Sequence, residues 1–254
     1  MDTFKASDTS PLIGTILLHL PEVDSTNDYA RTFITKNRPS EGTVIMAHHQ
    51  KHGRGQYGRR WESASGKNLT FTVILYPQFL HPSDVNLLSQ AVSISLCDFF
   101  NTHLNLPVKI KWPNDIYYQD GKLAGVLIET SVIGNKLDYV LVGIGVNVNQ
   151  TEFSPEVPNP VSLKDVFHQN FDLMVLLKAY FPFLDTWYYR LKIQPESLPE
   201  TYSGMLYHKD EQVVFSYKGT YRQGILRGVQ PNGRLLVEMN GVTEEFSHGE
   251  ITFA

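Results

Sequence analysis

The sequence predicts an α+β fold: a mixed, largely antiparallel sheet with helices packed on it, followed by a small C-terminal β-barrel. Apolar runs rich in β-branched and aromatic residues alternate with segments of helical spacing in the first part of the chain. The dipeptides Asp120-Gly121 and Gly134-Asn135 are typical of hairpin turns, which join antiparallel strands. From Glu211 onward the sequence shows only short strands and tight turns. We therefore predict one domain over residues 1–202 and a second over residues 203–254.

The beginning of the chain predicts two strands, a helix and a long loop. Residues 15–20 form an apolar run that Pro21 should end, and residues 43–47 form the second strand. Between them, the capping-box spacing from Ser25 to Asp28 predicts the start of a helix. Residues 48–67 contain four glycines and show no periodicity. We expect this segment to be a long mobile loop, and such loops are often functional.

The remainder of the first domain predicts further strands and two helices. Helical spacing covers residues 84–104 and 173–191, and Pro182 favours a bend in the second of these helices. The hairpin turns predict an antiparallel meander, with the helices covering one face of the sheet. The predicted strands of this part are 68–75, 108–112, 116–118, 123–130 and 137–148.

Composition excludes several classes of protein. The chain has 254 residues, a formal net charge of −4 and a single cysteine, Cys97. The negative balance argues against a dedicated nucleic-acid binder. No stretch approaches the roughly 20 apolar residues that a membrane helix needs. The polar segment 1–10 does not resemble a secretory signal, and one cysteine cannot form an internal disulfide, so we expect a cytoplasmic protein.

The glycine-rich loop concentrates positive charge. Gly53, Gly55 and Gly58 match the spacing of the dinucleotide fingerprint, but no helix pattern follows, so that function is rejected. The guanidinium groups of arginines in such a loop match carboxylate and phosphate oxygens. Together with Trp61, they favour a loop that closes over an anionic ligand. A solvated basic loop and a nucleic-acid patch are the alternatives.

A second cluster follows at residues 111–125. Lys111 precedes Trp112-Pro113-Asn114-Asp115, and a predicted hairpin should bring Lys122 back toward the same point. Two cations would then converge. Gly125 has no side chain, so a ligand could pack against the backbone of that strand.

Taken together, these blocks resemble the biotin–protein ligase family. The blocks run in the family's order, and the similarity extends from about Leu20 to Asn149 and continues weakly through the C-terminal barrel. They are Ser25-Thr26-Asn27, Gln50 with 53–61, Lys111 to Asp115, Lys122 to Gly125, and Gly143-Ile144-Gly145-Val146-Asn147. The resemblance implies a class II synthetase-like catalytic fold and an SH3-like C-terminal barrel.

The resemblance also implies a two-step reaction. Biotin, as substrate, would attack ATP to give biotinyl-5′-AMP, and a lysine of a biotin carboxyl carrier protein domain would then take the biotin. The carrier would belong to acetyl-CoA carboxylase or a related biotin-dependent carboxylase. Mg²⁺ would be bound mainly by the ATP phosphates, so no protein metal site is expected. No DNA or membrane partner is expected, and family members are monomers or homodimers.

Roles for individual residues follow only from the resemblance. The implied catalytic residues are Lys122, Arg54, Lys111 and Asp115. The implied biotin-binding residues are Ser25, Thr26, Asn27, Gln50, Gly53, Arg54, Gly55, Lys122 and Gly125. The implied ATP-binding residues are Arg59, Trp61, Asn114 and Asn147.

Two departures and two alternatives complete the expectations. Gln56 stands where many relatives carry arginine, which puts retention of the adenylate in question. Few residues precede the first strand, so we expect no DNA-binding helix-turn-helix domain. A lipoate–protein ligase or octanoyl transferase is the enzyme alternative, and the transferase would need Cys97 as a reactive thiol. A nucleic-acid-binding module is the other alternative, with binding that weakens steeply with salt.

Overall fold

The computed structural model describes residues 11–253, and the N-terminal segment 1–10 lies outside the described residues. Seven strands form one mixed sheet in the order β1-β2-β3-β7-β6-β5-β4. β1 and β2 are parallel, and every other neighbouring pair is antiparallel. This confirms the predicted meander. The strands are β1 (Leu17–Val23), β2 (Val44–Gln50), β3 (Leu69–Leu75), β4 (Val108–Lys111), β5 (Asp115–Tyr118), β6 (Gly121–Ile133) and β7 (Lys136–Val146).

Helices cover both faces of this sheet, whereas the sequence predicted cover on one face. On one face, the long helices contribute to a core that includes Val44, Val73 and Val142. On the other face, α1 packs Ala30 and Ile34 against the residues of opposite strand parity. The helices are α1 (Thr26–Asn37), α2 (Val85–Asp98), α3 (Leu163–Phe167), α4 (Leu173–Ile193) and α5 (Leu198–Gly204).

Pro21 does not end the first strand, contrary to the prediction. β1 continues past Pro21 to Val23, because β1 is an edge strand and a missing N–H on its free side breaks no ladder bond. Pro182 lies inside α4, and the bend there stays a prediction. Shorter elements are also present: Phe99–His103 is a π-helical turn after α2, and Gln56–Gly58 is a 3₁₀ turn in the glycine-rich loop.

The C-terminal part forms a second, five-stranded antiparallel sheet, as predicted. Its order is β11-β10-β9-β8-β12. α5 crosses the predicted domain boundary at residue 202, and the division into 1–202 and 203–254 stays a prediction. The strands are β8 (Gln212–Tyr217), β9 (Thr220–Val229), β10 (Leu235–Met239), β11 (Val242–Phe246) and β12 (Ile251–Phe253).

Over residues 11–253, no helix combines the length and the apolar character needed to cross a membrane.

Candidate functional site

A glycine floor lies on the α1 face of the main sheet. Gly125 of β6 and Gly145 of β7 are paired in register, and Gly143 follows two residues along β7 on the same face. Because these glycines have no side chains, the side chains of other residues can lie directly on the strands. A Cβ at Gly145 would lie 2.3 Å from the Trp61 ring, and a Cβ at Gly143 would lie 2.5 Å from Asn27 Oδ1. The floor therefore accepts bulky groups from outside the sheet.

A buried polar cluster adjoins this floor at the start of α1. Gln50 Oε1 accepts from the Thr26 backbone N–H at 2.8 Å and lies 3.1 Å from Thr26 Oγ1. Thr72 Oγ1 donates to Asn27 Oδ1 at 2.6 Å and lies 2.8 Å from Thr26 Oγ1. Ser25, the residue that caps α1, is buried beside them. These contacts fix the orientation of the Gln50 amide: its oxygen is occupied, so its NH₂ group is the part that can face a ligand.

The glycine-rich loop folds into a hairpin, although the sequence predicted a loop without regular structure. Trp61 N–H donates to Gly53 O at 2.9 Å, and Gly55 N–H donates to Arg59 O at 2.7 Å. At the tip, Tyr57 and Gly58 have φ values of 53° and 74°. A left-handed pair of this kind closes a tight turn, which favours glycine at the second position. Periodicity could not reveal a ladder this short.

The predicted convergence of cations is present. Lys122 Nζ lies 2.8 Å from Asp115 Oδ1, and each of these side chains is 25% exposed. Lys111 is paired with Asp115 across the β4–β5 hairpin, and its Nζ lies 4.6 Å from the centre of the Tyr117 ring. Burial lowers the pKa of Lys111; the charge of Lys122 lowers it too, and Asp115 opposes both effects. Lys122 is thus ion-paired with Asp115, and Lys111 lies near enough to both for their charges to act on it, so two cations stand beside one carboxylate.

Three hydrogen bonds hold the main chain of Lys122 in position. Its N–H donates to Asn159 O at 2.7 Å, and its carbonyl accepts from the Val161 N–H at 3.1 Å. The same carbonyl accepts from Asn147 Nδ2, also at 3.1 Å. Asn147, predicted to bind ATP, therefore also fixes the main chain of the catalytic candidate.

Trp61 lies between the glycine floor and Lys122. Lys122 Nζ is 5.7 Å from the ring centre. The indole Nε1 is buried and has no hydrogen-bond partner among residues 11–253. A buried unpaired N–H costs free energy unless it finds an acceptor, so this group is suited to donate to a ligand.

Arg54 belongs to a different set of contacts from the lysines. It binds Asp28 at 2.6 Å and Glu129 at 3.0 Å, and Arg31 binds the same two carboxylates. Glu129 also accepts from Asn27 Nδ2 at 2.8 Å. Glu129 lies four residues along β6 from Gly125, which is the glycine beside Lys122. About 13 Å of strand therefore separates the carboxylate that binds Arg54 from the position next to Lys122. In this conformation Arg54 ties the hairpin loop to α1 and β6, and its catalytic and biotin-binding roles stay predictions.

The two remaining predicted ATP-binding residues have distinct settings. The Asn114 amide donates to Val126 O, and Val126 N–H donates back to Asn114 O at 3.1 Å. Asn114 therefore locks the turn between β4 and β5 onto β6. Burial raises the pKa of Tyr117 to about 12 and lowers that of His248, and Arg59, at the loop tip, is near enough to both for its charge to act on each in the lowering direction.

The sequence did not predict a place in the site for four residues: Asp28, Thr72, Glu129 and His248. Each contacts residues far away in the chain, so local patterns carry little signal for them. α3 was also missed, although its signal was available. Ser162 and Asp165 form a capping box in which the Ser162 hydroxyl accepts from Asp165 N–H and Asp165 Oδ2 accepts from Ser162 N–H.

Two features of the described residues bear on chemistry. Within residues 11–253, no group of three or more His, Cys, Asp or Glu side chains could hold a metal ion. Cys97 is fully buried, and burial raises the pKa of its thiol. A protonated, inaccessible thiol cannot act as an acyl-transfer nucleophile, which disfavours the octanoyl transferase alternative.

Comparisons with known proteins agree with these observations. The model of the biotin/lipoate A/B protein ligase family matches residues 20–147. The bifunctional ligase/repressor BirA of Escherichia coli is 27% identical over 238 residues, which cover 92% of this chain and 72% of that protein. The biotin–[acetyl-CoA-carboxylase] ligase of Paracoccus denitrificans is 36% identical over 51% of this chain and 53% of its own length. The Aquifex aeolicus biotin protein ligase, solved with biotin and ATP, superposes with a TM-score of 0.80 at 26% identity, covering 94% of this chain and 99% of that one.

Proposed function

The chain belongs to the biotin/lipoate A/B protein ligase family, and we propose that it is an ATP-dependent biotin–protein ligase that forms biotinyl-5′-AMP. The family model spans both biotin and lipoate enzymes. The relatives favour biotin, since the Paracoccus protein and the Aquifex structure are both named as biotin ligases. The function is ATP-dependent ligation, because the Aquifex structure contains both biotin and ATP.

The observation that carries this proposal is the Lys111–Asp115–Lys122 group beside the glycine floor. In the first step, a biotin carboxylate oxygen forms a bond to the α-phosphorus of ATP, and the bond from that phosphorus to the bridging oxygen breaks, releasing pyrophosphate. An anion approaches a polyanion, so the barrier is largely electrostatic. Positioned cations stabilise the charge that develops in the transition state. Lys122 is the better placed of the two lysines, because Asp115 orients its ammonium group.

The polar cluster at the start of α1 suits the ureido end of biotin. A urea group offers one strong carbonyl acceptor and two N–H donors. The Gln50 NH₂ group is oriented to donate to that carbonyl, and Gly53 leaves it space, since a Cβ there would lie 3.3 Å from Gln50 Nε2. Buried Ser25 can accept from a urea N–H. The remaining roles of Asn27, Gly55, Arg59 and Asn114 stay predictions.

The second step needs an amine. The lysine of an acceptor protein attacks the carbonyl carbon of the adenylate, an amide bond forms, and AMP leaves with the electrons of the carbonyl–oxygen bond. The mixed anhydride hydrolyses in water, so a hairpin that covers it protects the product of the first step. A biotin carboxyl carrier protein domain is the acceptor we propose, in keeping with the acetyl-CoA-carboxylase named for the Paracoccus relative.

ATP-bound Mg²⁺ fits the residues present. Asp115 is the carboxylate nearest the lysines and is already paired with Lys122, so the phosphates would supply most of the ligands to the ion. We further propose a cytoplasmic location, where the single cysteine would stay reduced.

One experiment separates the candidates. The purified chain is incubated with ATP, Mg²⁺ and a carrier domain, and with either biotin or lipoate. We expect a streptavidin-reactive carrier and biotin-dependent ATP–pyrophosphate exchange. Exchange that depends on lipoate and not on biotin would favour the lipoate ligase instead.

A further inference from the structure

One residue of the C-terminal sheet reaches the candidate active site. His248 lies in the turn between β11 and β12, and its ring centre is 4.7 Å from that of Tyr57 at the tip of the hairpin loop. The same ring packs edge-on against Trp112, with centres 5.3 Å apart. His248 therefore lies between the loop tip and Trp112, which is in the turn between β4 and β5.

The platform that carries His248 is anchored to the catalytic part of the chain. Trp112 Nε1 donates to Gly233 O at 3.0 Å, and Asn86 Nδ2 donates to Asn232 O at 2.7 Å. The β9–β10 turn is thus bound to the β4–β5 turn and to α2 independently of His248. Removing the imidazole should leave this docking in place, so its effect on the loop can be measured separately.

The surroundings of His248 favour an uncharged ring. Half-burial lowers its pKa, and the charge of Arg59 lowers it further, while Asp115 acts in the opposite direction. A neutral imidazole can pack against the Tyr57 ring without repelling Arg59. Tyr57 is 73% exposed, and the His248 ring is the aromatic group it packs on.

We propose that His248 is a positioning residue that holds the tip of the glycine-rich hairpin, Tyr57 to Arg59, closed over the ATP side of the lysine group. The inference rests on the proposed function and deepens it, because it names the residue of the C-terminal sheet that positions the glycine-rich hairpin. His248 acts through Tyr57 and Arg59, and no chemical step is routed through its nitrogen atoms.

The test compares the variants His248→Ala, His248→Phe and Tyr57→Ala. Tyr221→Ala is the matched control, since Tyr221 is also 73% exposed and lies on β9 of the same sheet. Two measurements are made on the full chain. One is the KM for ATP and the kcat in biotin-dependent pyrophosphate exchange. The other is the rate of tryptic cleavage after Arg54, Arg59 and Arg60 without ligands, which reports opening of the loop whether or not the chain is a ligase.

Loss of one aromatic pair corresponds to about a two- to tenfold effect. We expect His248→Ala to raise both the KM for ATP and the loop cleavage rate by about this factor, with a smaller change in kcat. His248→Phe should restore both values, because it keeps the packing. The Tyr57→Ala/His248→Ala double variant should be no worse than either single variant.

Cleavage and KM values for His248→Ala that match those of Tyr221→Ala would overturn the proposal, as would a failure of His248→Phe to restore them. If the unaltered chain shows no biotin-dependent exchange, the proposed function fails. In that case, faster loop cleavage in His248→Ala than in Tyr221→Ala would still support the contact between His248 and Tyr57.

Discussion

Removal of the Lys122 ammonium group should slow adenylate formation by about 100-fold, the lower end of the cost of losing one preorganised charge-stabilising group. Two unit charges 4 Å apart interact by about 4 kcal/mol at an effective dielectric constant of about 20. Lys122 is 25% exposed and Lys111 remains nearby, so the loss should be nearer 3 kcal/mol than that full value. The perturbation is Lys122→Ala, and the assay is biotin-dependent ATP–pyrophosphate exchange at saturating substrates.

The control for Lys122→Ala is Lys136→Ala. Lys136 is exposed at the far end of the same β6–β7 hairpin, so this substitution removes an equal charge at a position away from the site. Because Lys122→Ala leaves Asp115 without its partner, circular dichroism is used to check that the variant is folded. We expect it to be folded, since a partly exposed ion pair contributes only about 1 kcal/mol or less to stability. Exchange within about threefold of the unaltered chain, in a folded Lys122→Ala protein, would refute the role of Lys122.

Three further predictions concern the rest of the site. Gly143→Ala should displace Asn27 and weaken biotin binding by about 1–3 kcal/mol in calorimetry. Gly204→Ala is the control, because a Cβ there meets nothing within 4 Å. Equal affinities of the two variants for biotin would contradict the role of the glycine floor in binding. Burial lowers the pKa of Lys111, so its charge is lost at a lower pH than that of an ordinary lysine, and exchange should fall on the alkaline side. Lys111→Arg should abolish that fall, and identical pH profiles of the two proteins would disprove the role of Lys111. Glu129→Gln should release Arg54 and speed tryptic cleavage of the loop severalfold, while Glu244→Gln, on exposed β11, should leave it unchanged.

Local patterns predicted the frame of the molecule. Strands with alternating or continuous apolar runs, and hairpins closed by Asp120-Gly121 and Gly134-Asn135, are set by neighbouring residues, so the meander and the return of Lys122 toward Asp115 followed from spacing. The C-terminal sheet followed in the same way, from turn residues at short intervals.

Long-range contacts could not be predicted in this way. Whether α1 lies on the same face as α2 or on the opposite one depends on a crossover that periodicity does not specify. The ion pairs of Arg54 join a loop to α1 and β6, 26 and 75 residues away in the chain (54 − 28 and 129 − 54). His248 reaches Tyr57 only because the second sheet docks on Trp112.

The pairing of Arg54 with Asp28 and Glu129 changes how the loop is understood. The sequence suggested a loop whose arginines face the ligand. In the structure, two arginines and two carboxylates form a nearly neutral group that fastens one side of the hairpin, and Arg59 at the tip faces Tyr117 and His248. The loop therefore has a fixed base and a tip that contacts the C-terminal sheet, an arrangement suited to closing over a nucleotide.

The most direct test of the central claim is transfer of biotin to a carrier domain. The chain is incubated with ATP, Mg²⁺, biotin and the carrier, and the carrier is probed with streptavidin and its mass is measured. The account predicts one added biotin on one lysine, dependent on ATP and reduced about 100-fold in rate in the Lys122→Ala protein. An unmodified carrier, or one modified only when lipoate replaces biotin, would contradict it.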